Sequence, residues 1–355
     1  MNSILKLHPL GFPWPTLDPF LFCVYHDDLY PRGNAAMGPD ASLAGRNIGQ
    51  DFEGKDGWRM YHGETVPGFP SHPHRGFETV TIVRKGLIDH SDSLGATARF
   101  GGGDVQWLTA GKGIVHSEMF PLLNQVGNNP LELFQIWLNL PGRLKMVAPH
   151  FTMLWAEKIP STLHTDAQGR TTAVSVVAGT YQSANTAVVN PSTGPELIAP
   201  LAPPPDSWAA QPEADVAIWT LKMQNNAVYT LPRAQGNESR RMLYFFKGSG
   251  ITVAGQAIPN HCAIELNAQQ DVEVCNGAQD DNAPAEFLVL QGQPIAEPVA
   301  QYGPFVMNTQ AEIHQAFADY RRTEFGGWPF GDNAPTHGKE AARFAKHANG
   351  KLETV

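Results

Sequence analysis

Residues 72–86 read HPHRGFETVTIVRKG. Two histidines flank a proline, an arginine and a glycine follow, and a run rich in Val, Ile and Thr ends at a second glycine. Such a run favours a strand. In an extended chain, side chains alternate in direction, which predicts that His72, His74, Gly76, Glu78, Val80 and Ile82 share one face. Two imidazoles and a carboxylate would then stand together at the mouth of a strand. Taken alone, a His-x-His pair also caps strands, bonds carbonyls or faces solvent.

Working outward, LIDHSDSLGATARF reads as strand, turn and strand, with His90 as a hairpin residue whose strand runs toward the same place. Residues 101–120 read as two short strands around a glycine turn. In PLELFQIWLNLP, 130–141, Phe134, Ile136 and Leu138 alternate against Gln135, Trp137 and Asn139. Strands at this spacing, with turn signals between them, predict an antiparallel sandwich or barrel. After residue 142 the texture changes. TTAVSVVAG and ADVAIWTLKM are further strand candidates, and a proline-rich segment from Pro191 to Pro212 is expected to be extended or loop. Residues 240–267 again read as strand, turn, strand, turn and strand.

This second run resembles a worn repeat of the first. With Lys247-Gly248 laid on Lys85-Gly86, Ala234, Gly236 and Arg240 fall where His72, His74 and Glu78 stand, so the second unit is expected to bind no metal. Near the end, Thr309 and Glu312 match a capping box. Ile313, Ala316, Phe317 and Tyr320 then recur at helical spacing. The tail, 331–355, is polar and weakly patterned, and is expected to be partly disordered or draped on the surface.

Composition limits the function classes. The 355 residues include 42% hydrophobic and 17% charged side chains, enough for a sizeable core. The 34 glycines and 29 prolines favour short strands and turns over long helices. A formal net charge of −9 without a basic cluster argues against direct nucleic-acid binding, which needs phosphate neutralisation. Three scattered cysteines are no disulfide framework. No signal-peptide pattern and no membrane-length apolar run is read, so the expected setting is cytoplasmic.

A second stretch, GIVHSE, gives the first its meaning. His116 and Glu118 also stand two apart and share a strand face. Two strands, each offering two donors toward one interior, close a site of three histidines and one carboxylate. Polar residues on an exposed edge strand are the plainer alternative.

These motifs resemble the pirin family of the cupin superfamily. GFPSHPHRGFETVTIV, GGGDVQWLTAGKGIVHSEM and YGPFVMNTQAEIHQAFADYR carry the resemblance, which reaches from about residue 9 to 330. It implies an all-β bicupin: two antiparallel cupin-type β-barrels with a C-terminal α-helix. On this chain the expected division is a metal-binding barrel over 1–145, a degenerate barrel over 146–307, helix and turn over 308–330, and the tail over 331–355. The chain departs from the family pattern by an insertion near 27–65, which either lines the pocket mouth or is a passive loop.

The resemblance further implies one divalent transition-metal ion per chain, held by His72, His74, His116 and Glu118. Iron(II) comes first, with Ni, Co, Mn, Cu or Zn as alternatives. Glu78 stands where many cupins place their carboxylate ligand. In pirins the ligand matches Glu118, which leaves Glu78 an outer, orienting role or a structural one. Some pirins resemble flavonol (quercetin) 2,3-dioxygenases, which implies a small aromatic substrate such as a flavonol, dioxygen as co-substrate, and Glu118 as base. Others resemble redox-sensitive metal-binding regulators that act through a protein partner.

Overall fold

A computed structural model describes residues 2–182, 197–277 and 283–355. The first part of the proline-rich segment, up to residue 196, lies outside the described residues. Strands dominate the described residues, as expected, with one α-helix among them, Gln310–Thr323.

The chain divides into two compact units, 24–156 with 297–355, and 1–23 with 157–296. Both differ from the contiguous division expected above, because each end of the chain joins the more distant unit. Ile4–Pro9 pairs with Cys262–Leu266, and Phe344–Lys346 pairs with Thr97–Gly101. Such long-range pairings leave no local mark in a sequence.

The unit that carries the histidines has two large sheets besides the small hairpin of Ala300–Tyr302 and Phe305–Met307. One has the order His150–Leu154, Val105–Thr109, Phe77–Lys85, Asn129–Asn139, Phe20–Tyr30. The other has the order Leu352–Thr354, Phe344–Lys346, Thr97–Gly101, Leu87–Asp92, Ile114–Met119, Gly68–His74. Val83, Ile88, Phe100, Leu108, Ile114, Leu133 and Phe151 form its buried core. Removing such side chains from water stabilises by roughly 1.5–3 kcal/mol each.

The opening motif is not one continuous strand. Gly68–His74 belongs to the second sheet and Phe77–Lys85 to the first. Between them Gly76 has φ 86°, and a Cβ there would lie 1.9 Å from the Val306 carbonyl oxygen. Glycine is required at this crossing. The predicted shared face is therefore broken. Thr81 and Val83 face the interior with Leu108, while Glu78 lies on the opposite face with its register partner Thr109.

The other unit has a seven-stranded sheet, Ile4–Pro9, Cys262–Leu266, Arg240–Lys247, Ala285–Gly292, Ala217–Met223, Thr171–Ala178, Ser161–Thr165. Its second sheet orders Val228–Leu231, Val272–Cys275, Ile251–Val253, Gln256–Ile258. Trp219, Leu221, Leu243, Phe245, Phe287 and Val289 lie in its core.

The helix begins at the predicted capping box, with Thr309 accepting from Glu312 N and Glu312 bonding back to Thr309 N. Ile313 and Ala316 are buried, while Phe317 and Tyr320 are partly buried against Phe305 and Met307. The tail is not disordered: it adds the strands Phe344–Lys346 and Leu352–Thr354 to a sheet. No helix among the described residues is long and apolar enough to cross a membrane.

Candidate metal centre

Strands Gly68–His74 and Ile114–Met119 are antiparallel neighbours, and His72 stands directly opposite His116. This register brings together the two histidine motifs, which lie far apart in sequence. The ligand nitrogens of His72, His74 and His116 all lie within 4.8 Å of one another. His72 Nε2 and His116 Nε2 are 3.1 Å apart. Glu118, the fourth expected donor, places Oε2 3.9 Å from His116 Nε2. Two donors sharing one ion at about 2.1 Å each stand no more than about 4.2 Å apart, and both separations meet that bound.

Protonation fits the same reading. Burial holds His72 down to about 4 and His74 and His116 well below the ordinary histidine range, with neighbouring imidazoles adding to the effect. Neutral imidazoles present lone pairs, the form that binds a metal. His72 Nδ1 lies 2.8 Å from the Pro70 carbonyl oxygen, so it donates there and leaves Nε2 as acceptor. Burial pushes the Glu118 carboxyl above its usual value. Thr81 Oγ1 donates to Oε1 at 3.2 Å, and Gln135 Nε2 lies 3.4 Å from Oε2. With no cysteine in the set, imidazole plus one carboxylate suits iron, nickel, cobalt, manganese or copper.

Glu78 takes no part in this cluster. It is fully buried and accepts from Trp107 Nε1 at 3.1 Å and Thr109 Oγ1 at 2.8 Å. Of the two roles expected for it, orienting or structural, these bonds fit the structural one, because the break at Gly76 turns its side chain to the other face. His90 is also not an ordinary hairpin residue. It is fully buried, its ring is 5.6 Å from that of His116, and Nε2 lies 3.1 Å from Asp92 Oδ2.

Sequence reading missed several pocket residues. Gln135 and Trp137 are half-buried on the face toward the histidines, and the Trp137 ring is 5.4 Å from that of His74. The strand Asn129–Asn139 is buried on both faces, so its polar alternation marks the pocket rather than solvent. Gln106, the register partner of Thr81, is buried with neither amide atom bonded within the described residues.

The insertion is not a passive loop. Trp58, Met60 and Tyr61 join the core. Phe52, Tyr61 and His62 surround Phe69 at ring distances of 6.4, 5.1 and 5.6 Å, and Phe69 lies 6.4 Å from His72. Tyr61 Oη donates to Asp28 Oδ2 at 2.6 Å, and Arg59 pairs with Asp28 at 3.0 Å. An aromatic rim is thereby fixed beside the histidines.

Comparison with known proteins agrees with this geometry. The pirin family model matches residues 45–138, and the model of the pirin C-terminal cupin domain matches 218–326. A pirin-like protein of Solanum lycopersicum is 33% identical over 79% of this chain and 86% of its own. A Pseudomonas aeruginosa protein provisionally named quercetin 2,3-dioxygenase is 33% identical over 73% of this chain and 79% of its own. The crystal structure of quercetin 2,3-dioxygenase from Acinetobacter baumannii superposes with a TM-score of 0.63 at 26% identity, covering 92% of this chain and 96% of that one. Motifs, two-sheet units and relatives agree, and the chain belongs to the pirin family.

Proposed function

We propose that the chain is a metal-dependent flavonol (quercetin) 2,3-dioxygenase whose centre is formed by His72, His74, His116 and Glu118. The observation that carries this reading is the cluster of three neutral imidazoles, His74 and His116 buried and His72 half-buried, with a basic carboxylate 3.9 Å from one of them. The names of the Pseudomonas aeruginosa relative and the Acinetobacter baumannii structure point the same way.

A divalent transition metal, iron(II) in the first place, supplies Lewis acidity toward the substrate oxygens and an electron path to dioxygen. The residues do the rest. Glu118 takes the proton of the flavonol 3-hydroxyl, and its raised proton affinity suits that task. Thr81, bonded to Oε1, keeps the other oxygen toward the histidines. Phe69 and Trp137 give flat faces against which an aromatic ring system stacks. The buried amide of Gln106 offers a hydrogen bond to a substrate oxygen.

The test is dioxygen uptake and loss of quercetin absorbance with purified, iron-loaded protein. Turnover that disappears in Glu118→Gln supports the proposal. No turnover with any of the candidate metals overturns it. Partner capture that depends on oxidation state would favour the regulatory reading instead.

A further inference from the structure

In the unit built from 1–23 and 157–296 the repeat alignment lays Ala234 and Gly236 on His72 and His74, yet its interior is not wholly apolar. Arg241 is fully buried. It lies on the strand face of Leu243 and Phe245, both core residues. The alignment of Lys247-Gly248 with Lys85-Gly86 puts Arg241 at the place of the inward-facing Thr79. Nε and Nη2 both donate to the neutral Gln291 Oε1, Nε at 2.9 Å. Nη1 has no partner among the described residues.

Other buried arginines of this chain rest on carboxylates. Arg99 lies against both oxygens of Asp89 at 2.6 Å, and Arg75 against Asp319 at 2.9 Å. Among the described residues no ion pair joins Arg241 to a carboxylate, although the charges of Asp215 and Asp271 reach it. Asp215 spends Oδ2 on Gly236 N, Ser239 Oγ and Gln291 Nε2. Burial holds the Arg241 guanidinium down to about 10, so it stays charged at neutral pH. A buried cation without an anionic partner is costly.

Further polar groups belong to the same core, which includes Tyr181, Trp219 and Tyr229 with Leu243 and Phe245. Tyr229 lies near enough to feel the Arg241 charge, and its hydroxyl is 2.7 Å from that of Tyr181. Tyr181 Oη is also 2.8 Å from Nε2 of the half-buried His164. The Tyr181 ring stands edge-on to Trp219 at 5.1 Å, and Trp219 Nε1 is buried with no partner among the described residues. An unpaired guanidinium nitrogen and an unpaired indole N–H form a donor set for an oxyanion, and when His164 donates to Tyr181 the phenol pair adds one more hydroxyl proton.

We propose that the interior of this unit binds a small oxyanion, an organic carboxylate, through Arg241 Nη1 and Trp219 Nε1, with the Tyr181 and Tyr229 hydroxyls beside them. One cation matches one carboxylate charge, whereas a phosphate dianion brings a second. Leu243, Phe287 and Val289 give an apolar setting for the body of the molecule.

The test uses the full, metal-loaded chain. Thermal unfolding is followed while benzoate, acetate or inorganic phosphate is titrated at an ionic strength fixed with sodium chloride. A saturable rise in Tm with a carboxylate is expected, because a ligand that binds only the folded state stabilises it. Arg241→Gln should abolish the rise. Trp219→Phe should weaken apparent affinity by about tenfold, the effect of one hydrogen bond to a charged group, with metal content unchanged. If Arg241→Gln does not fold, Trp219→Phe decides alone, and unaltered affinity overturns the proposal. A rise with phosphate and not with carboxylates keeps the oxyanion site and identifies phosphate as its ligand. No saturable rise with either, or an equal rise in Arg241→Gln, overturns it.

Discussion

At the scale of the residue, Glu118 and Glu78 are both buried but lie in different sheets and meet different neighbours. Glu118 faces the histidines and Glu78 faces Trp107 and Thr109. His72→Ala and His74→Ala should each strip most of the bound metal, measured as metal per chain after purification. Glu118→Gln should weaken binding and end turnover, since an amide is a poor ligand and no base. Glu78→Gln should keep the metal but lower stability by about 1–3 kcal/mol, because the two buried bonds to Oε1 lose their charged acceptor and the buried amide N–H must find a partner. If Glu78→Gln loses the metal and Glu118→Gln keeps it, the assignment is reversed. Phe69→Ala should leave the metal in place and raise KM for a flavonol about 3–10-fold, the value of one aromatic contact. An unchanged KM would mean that the rim does not touch substrate.

At the scale of the element, the segment after His74 is clamped by the hairpin and helix near the C-terminus. Arg75 N bonds Pro304 O, Val306 N bonds Arg75 O, and the Arg75 guanidinium pairs with Asp319 on the helix. Phe317 is only partly buried, so Phe317→Ala should cost about 2 kcal/mol, below the 3–5 of a fully buried Phe. An unchanged Tm would mean the helix is peripheral. Lys145 ties the same region together, donating to Gly76 O, Asn139 Oδ1 and Val306 O. Lys145→Met leaves these acceptors without that donor and should destabilise by about 2–4 kcal/mol at neutral pH. Burial lowers the lysine to about 8 from 10.5. Between those values the unfolded chain holds more protons than the folded one, so this group makes stability rise with pH. The Tm advantage of wild type over Lys145→Met should therefore widen from pH 8 to about 10. A constant gap would show that Lys145 titrates normally.

At the scale of the whole molecule, legibility followed the range of the signal. The histidine cluster was readable because His72 pairs with His74, and His116 with Glu118, at the strand period. The helix was readable because Thr309 and Glu312 mark its start. The face of Glu78 was not, since the crossing at Gly76 depends on a clash with Val306, far along the chain. The role of the tail was hidden for the same reason. Asn333 O accepts from Ser71 N, one residue before His72. His337 N donates to Asp89, and the buried Arg99 donates to Gly338 O and Glu340 O. Trp155 Nε1 donates to Glu353 at 2.7 Å. Removing 333–355 exposes the edge strand Thr97–Gly101 and costs Arg99 two acceptors. At about 0.5–1.5 kcal/mol for each bond lost, the truncated chain should be several kcal/mol less stable. It should also surrender its metal faster to a chelator, because the strand bearing His72 loses an anchor. Equal Tm and equal release rate in the truncated and full chains would show that the tail lies on the sheet without holding it.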